Sequence, residues 1–224
     1  MTVLVTGGRG LLGRALARHR DVVAPGKDTL DITRPALVAA ALAAPAPALV
    51  ITAAAYPAVD RAESERAAAF AINHHGAATV ARACARHRVR MIQLSTDHVF
   101  PGTASDPYRE TDATDPVNTY GASKLAGERA VLDAGGTVVR TAWLFGEHGP
   151  GFVHAIARAA REQPTVRVVD DQVGCPTYVD DLAQLLLALD VTGIVHACGQ
   201  PAVTRYAFAV AVLEALAIRA AWSR

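Results

Sequence analysis

Two hydrophobic rhythms alternate along the chain. Short unbroken apolar runs, rich in valine, leucine and isoleucine, predict buried parallel strands at residues 2–6, 22–24, 48–52, 89–95, 137–140, 166–169 and 193–197. Between them, apolar residues recur at helical spacing and predict helices. One follows the first strand to about 19, one runs from about 35 to 44 with Pro35 at its start, and a long one runs from about 63 to 87, interrupted near Asn73-His74-His75-Gly76. Further helices are expected around Tyr120 and Lys124 and at 151–161, 178–189 and 204–217. Strand alternating with helix predicts an α/β fold of the Rossmann type, a doubly wound parallel sheet. Ligands in such sheets bind beyond the carboxyl ends of the strands. The Pro-, Gly- and Asp-rich segment 100–117 is suited to border such a cleft.

The first strand runs into Gly7-Gly8-Arg9-Gly10-Leu11-Leu12-Gly13 and then a helix. In that context Gly7 permits a tight turn, Gly10 lets a pyrophosphate approach the helix N-terminus, and Gly13 allows close helix–strand packing. The spacing is G-x-x-G-x-x-G rather than G-x-G-x-x-G. The second strand ends in Pro25-Gly26-Lys27, where an acid would normally hold the adenosine ribose. Lys27 with Arg9 suits a 2′-phosphate; the alternative is a pair of solvated surface charges. Asp31-Ile32-Thr33 follows, with Thr33 a candidate helix cap. Ala53, Ala54 and Ala55 after the third strand leave room for a cofactor crossing the sheet edge, although alanine is abundant throughout.

Tyr120 and Lys124 stand four residues apart and so share one helix face. A phenol beside a fixed ammonium can exchange a proton with an alkoxide near neutral pH, because the cation favours the phenolate. The pair alone is a weak signal. It gains weight from the glycine turn and from Ser95-Thr96-Asp97-His98 at the end of the fourth strand, where the Thr96 hydroxyl is placed to meet a substrate carbonyl.

Composition narrows the reading. A net charge of +1 without a basic cluster argues against a nucleic-acid surface. The apolar runs are broken well short of a membrane span, and no signal peptide is read at the N-terminus. Cys84, Cys175 and Cys198 are far apart and form no C-x-x-C pair, so neither a metal site nor a disulfide framework is indicated and a cytoplasmic location is expected. The adjacent His74 and His75 lack the spacing of a metal pair.

With these pieces in place the chain resembles the extended short-chain dehydrogenase/reductases, and more narrowly the dTDP-4-dehydrorhamnose reductase family. The resemblance rests on VTGGRGLLGRAL, LDIT, AAAYPAVDRAE, AINHHG, LSTDHVFPGT, PVNTYGASKLAGE, RTAWLFGEHG, VVDDQVGCPTY and DLA. It implies reduction of a keto group on a nucleotide-linked sugar, or a related small polar ketone, by NADPH, with NADH as the alternative cofactor. Tyr120 would donate the proton, Lys124 would hold the nicotinamide ribose and lower the tyrosine pKa, and Thr96 would polarise the carbonyl. Gly7, Gly10, Leu11 and Leu12 would carry the pyrophosphate, Arg9, Gly13 and Lys27 completing that end. Asp31 and Ile32 would meet the adenine, and Ala53, Ala54, Ala55 and Ser95 would line the strand ends. Asn73 would order the site, and Asp97, His98 and Trp143 would face the substrate. Residues 1–143 are expected to form the cofactor-binding domain. Residues 144–224 are expected to form a reduced substrate lobe interleaved with the last Rossmann elements.

Three departures from the family pattern stand out. His98 replaces a usual tyrosine beside Thr96. Relatives continue past the helix ending near 217, which leads to the expectation of a minimal substrate side. Ala15 stands where some relatives carry a glutamate for a magnesium-linked dimer contact, so no metal is carried over and a homodimer is left open. Two competing functions share the motifs. One is a non-catalytic cofactor-binding regulatory subunit, disfavoured by the intact Thr96, Tyr120 and Lys124. The other is a sugar-nucleotide dehydratase or epimerase, disfavoured by the absence of an acid pair after Thr96.

Overall fold

The computed structural model describes residues 2–43, 46–147, 149, 151–218 and 221–223. Its first half runs β1 (Val3–Thr6), α1 (Leu11–Leu16), β2 (Val22–Val23), α2 (Pro35–Ala43), β3 (Leu49–Thr52), α3 (Val59–Ser64), α4 (Arg66–Phe70), a π-helix (Ala71–Gly76), α5 (Ala77–His87) and β4 (Arg90–Thr96). A 3-10 turn (Asp97–Val99) then leads to α6 (Thr119–Asp133), β5 (Thr137–Thr141), β6 (Leu144–Phe145) and α7 (Phe152–Glu162). The remainder is β7 (Thr165–Arg167), β8 (Val173–Gly174), β9 (Thr177–Tyr178), α8 (Val179–Ala188), β10 (Gly193–His196), β11 (Val203–Thr204), α9 (Arg205–Ala215) and β12 (Ala221–Ser223). The α2 end expected at residue 44 lies outside the described residues.

The main sheet has the order β10-β5-β4-β3-β1-β2, and every pairing in it is parallel. Successive side chains in a strand point to opposite faces. Val5 and Ile51 accordingly join Leu12 and Leu16 of α1 and Leu182 and Leu186 of α8 on one face. Leu4 and Val50 join Val38 of α2, Val80 of α5 and Val131 of α6 on the other. Both faces are covered, which is why these strands read as unbroken apolar runs. β1 lies between β2 and β3, so the connections diverge at its carboxyl end and open a crevice there.

A separate core joins α7, β7 and α9 through Ile156, Val166, Phe208, Val212 and Leu213. Several features differ from the sequence reading: β6, β11 and β12 were not expected, and β7 pairs with β12 outside the main sheet. The long helix expected at 63–87 is divided: it breaks at Glu65, whose carboxylate accepts from the Tyr56 hydroxyl at 2.6 Å, and widens into the π-helix around Asn73. Between the strand expected at 166–169 and the helix expected from 178, the structure adds β8 and the start of β9. Their partners are β11 and β6, remote in sequence, so no local pattern announces them.

Candidate active site

Sterics dictate the glycine turn. Gly7 has φ 77°, and a side-chain carbon there would lie 2.7 Å from the Ala54 nitrogen. Gly13 closes against the Gly7 carbonyl. Gly10 caps α1 without a side-chain bond and is exposed. Leu12 is committed to the core, so any contact it makes with a pyrophosphate is through its backbone, whereas Leu11 is half-buried. A side-chain carbon at Gly26 would fall 2.7 Å from Arg9 Nε, because Arg9 crosses this point to pair with Asp28 at 2.8 Å. Lys27 is exposed next to it. The crevice edge therefore carries Lys27 and an Arg9 paired with Asp28, and these cations fit a phosphorylated ribose. Asp31 accepts from the Thr33 nitrogen at 2.9 Å and its hydroxyl at 2.7 Å, and these bonds hold its pKa down. The Thr33 hydroxyl is thus engaged with Asp31. Ile32 is buried in the core beneath α2 and α5.

The strand-end alanines are fixed from below. Ala54 N donates to Thr6 Oγ1 at 3.4 Å, and Ala53, Ala54 and Ala55 remain half-buried at the crevice. Asn73 accepts from Tyr56 N at 2.8 Å and donates to Tyr56 O at 3.1 Å and to Ser123 Oγ at 2.9 Å. Ser123 in turn donates to the Tyr120 carbonyl at 2.7 Å. One buried amide thereby ties the segment after β3 to the turn of α6 that carries Tyr120.

The start of α6 is held twice. Asn118 caps Gly121 N at 2.7 Å, and Glu63 accepts from Thr119 N at 2.7 Å and from its hydroxyl at 2.9 Å. Tyr120 then stands beside Thr96 at the end of β4, near enough for the Thr96 hydroxyl to act on the phenol. Burial pushes the phenol pKa up to about 12, and the Thr96 hydroxyl opposes this. Lys124 is 4% exposed, donates to the Leu94 carbonyl at 2.5 Å, and is pushed down by burial to about 8. The sequence reading had Lys124 lowering the tyrosine pKa; here the ammonium addresses a backbone carbonyl, and desolvation dominates the phenol.

Beneath this pair lies an ion pair that the sequence reading missed. Glu128 is hydrogen-bonded by Ser95 and paired to Arg140 at 2.8 Å, with the two side chains 1% and 4% exposed. Glu128 follows Lys124 by one helical turn and its charge supports the ammonium. That i,i+4 spacing on the catalytic face was the available signal. Ser95 is therefore a support for Glu128, 6% exposed.

On the substrate side, Asp97 is exposed and accepts from Thr96 Oγ1 at 2.9 Å. His98 meets the Tyr120 ring edge-on, with centroids 5.5 Å apart, and its Nδ1 lies 3.0 Å from Asn118 Nδ2. Trp143 has φ 45°, a left-handed conformation uncommon outside glycine. Its ring packs against Gly174 and lies under the Arg205 guanidinium, 3.5 Å from the ring centroid. Arg205 was not anticipated. The described residues contain no cluster of three or more potential metal ligands.

A doubly wound parallel sheet, a glycine turn at its switch point and a Thr–Tyr–Lys group where α6 meets the end of β4 define a short-chain dehydrogenase/reductase. Residues 1–222 match the profile of the RmlD substrate binding domain, and the chain belongs to that family. It is 48% identical to a dTDP-4-dehydrorhamnose reductase of Streptomyces griseus over 85% of this chain and 66% of that protein. It is 42% identical to a dTDP-4-keto-6-deoxy-D-glucose reductase of Streptomyces niveus over 91% of this chain and 74% of that protein. Among solved structures, a Bacillus anthracis dTDP-4-dehydrorhamnose reductase in complex with NADP superposes with a TM-score of 0.95 at 34% identity, covering 99% of this chain and 83% of that one.

Proposed function

We propose that the chain is an NADPH-dependent ketoreductase acting on a keto group of a nucleotide-linked sugar. The observation that carries this reading is the Thr96–Tyr120 hydroxyl pair at the end of β4, with the buried Lys124 ammonium on the same helix face. The names of the Streptomyces relatives and the NADP in the Bacillus anthracis structure support it. Within the chain, Gly7, Gly10 and the first turn of α1 would seat the pyrophosphate, Arg9 and Lys27 the ribose phosphate, and Ala53–Ala55 the face crossing the sheet edge. When bound, NADPH supplies the hydride. Thr96 Oγ1 orients the carbonyl oxygen by hydrogen bonding, and the Tyr120 phenol delivers a proton to that oxygen as its charge develops. Lys124, on the same helix face, would hold the nicotinamide ribose. Residues 1–143 would carry the cofactor, and the α7–β7–α9 unit within 144–224 would border the substrate.

The test is NADPH oxidation with a dTDP-linked 4-keto-6-deoxy sugar and isolation of the alcohol product. Tyr120→Phe is expected to slow reduction by about 10²–10⁴-fold while leaving NADPH affinity intact. Reduction retained near the wild-type rate would remove Tyr120 as proton donor.

A further inference from the structure

Arg205 is the first residue of α9. Its guanidinium lies 3.5 Å from the Trp143 ring centroid and 5.1 Å from that of Phe152. Trp143 is itself fixed by Gly174, where any side chain would overlap the indole. The guanidinium is therefore held on a built aromatic platform, which suits a planar, weakly hydrated cation. Among the described residues no carboxylate lies within ion-pair distance of it. Burial pushes its pKa down, and the field of Asp97, the neighbour of Thr96, opposes that shift. The same Asp97 charge reaches the Tyr120 phenol. Trp143 stands two residues beyond Thr141, which pairs with Thr96 at the strand ends, so Arg205 on its ring lies by the end of the sheet that carries Thr96. A half-buried arginine without a carboxylate fork offers its planar donors to a phosphate oxygen pair.

We propose that Arg205, carried on Trp143, binds the diphosphate of the nucleotide-linked substrate and so sets the distance between the nucleotide and the ketone at Tyr120. This rests on the reductase reading for the identity of the ligand. It also reassigns Trp143, expected to face the sugar, as the support for a phosphate-binding residue.

The experiment is calorimetric binding of dTDP and of thymidine to the full chain saturated with NADP. Arg205→Gln is expected to weaken dTDP at least about tenfold, the loss of a hydrogen bond to a charged group, and to leave thymidine and NADP binding unchanged. Arg205→Met, whose stem still covers Trp143, is expected to do the same and guards against loss of folding in the first variant. Asp97→Asn, which removes the nearest opposing carboxylate, is expected to tighten dTDP binding. Equal dTDP affinity in wild type and in either folded Arg205 variant overturns the proposal, as does an equal loss of thymidine. Binding is read without turnover. If dTDP binding depends on Arg205 but no ketone is reduced, the reductase reading fails alone; if ketones are reduced and dTDP ignores Arg205, the diphosphate assignment fails alone.

Discussion

Tyr120 and Lys124 are perturbed in opposite directions by the same cause. Burial raises the phenol to about 12 and lowers the ammonium to about 8, with Thr96 and Glu128 each opposing the shift of its neighbour. For a reductase the phenol is then a standing proton donor, and Lys124 is the group that titrates. The rate constant kcat/KM for reduction is expected to fall as pH rises through about 8, with no contribution from Tyr120 below about 12. Glu128→Gln removes the charge that supports the ammonium, so the fall moves to lower pH. A pH–rate profile that stays level across that region would contradict the assignment. The same shift governs stability: between about 8 and the ordinary 10.5 the unfolded chain holds a proton that the folded chain lacks. This group's contribution therefore rises with pH across that window, a slope that Lys124→Met loses. The pairing of these residues was legible from their spacing. The direction of the phenol shift was not, because desolvation depends on what packs over the ring.

At the scale of elements, the central strands β1, β3, β4 and β5 and the helices over them were legible because those strands are buried on both faces. The π-helix was visible only as an interruption at Asn73-His74-His75-Gly76. Its cause is a tertiary contact: Gly127 of α6 lies against the Asn73 carbonyl so closely that any added side-chain carbon would overlap it. That approach sets the reach of Asn73 to both Tyr56 and Ser123. Gly127→Ala therefore tests two opposing effects. Helix propensity favours alanine by about 1 kcal/mol, whereas forcing a methyl into a filled contact costs about 1–3 kcal/mol. The obstacle is a backbone carbonyl rather than a flexible side chain, so the clash prevails and the urea midpoint falls. An unchanged or raised midpoint would show that α6 can shift away from Asn73 freely. Arg205 and the Glu128–Arg140 pair escaped the sequence for a related reason: each acquires its meaning from a partner on another element.

For the whole molecule the question is whether residue 143 divides two bodies. The chain beyond it builds the separate α7–β7–α9 core, but it also returns to the main sheet. Val179, Leu182, Ala183 and Leu186 of α8 and Ala197 after β10 are buried in the same cluster as Leu12 and Leu16 of α1. β10 pairs with β5 along its length, closing an edge of the sheet. Truncating one buried leucine to alanine costs about 2–5 kcal/mol, and a domain's whole stability is about 5–15 kcal/mol. Losing all of α8 therefore exceeds what the remaining contacts can supply. A fragment of residues 1–143, although it contains the glycine turn, Thr96, Tyr120 and Lys124, is expected to show no cooperative thermal transition and little amide dispersion in NMR, and NADPH is not expected to restore either. A fragment extended through β10 keeps the α8 and β10 contacts and is expected to regain cooperative melting. Cooperative melting of the 1–143 piece, with NADPH raising its midpoint, would instead make it a self-sufficient cofactor domain and reduce α8 to an accessory cover.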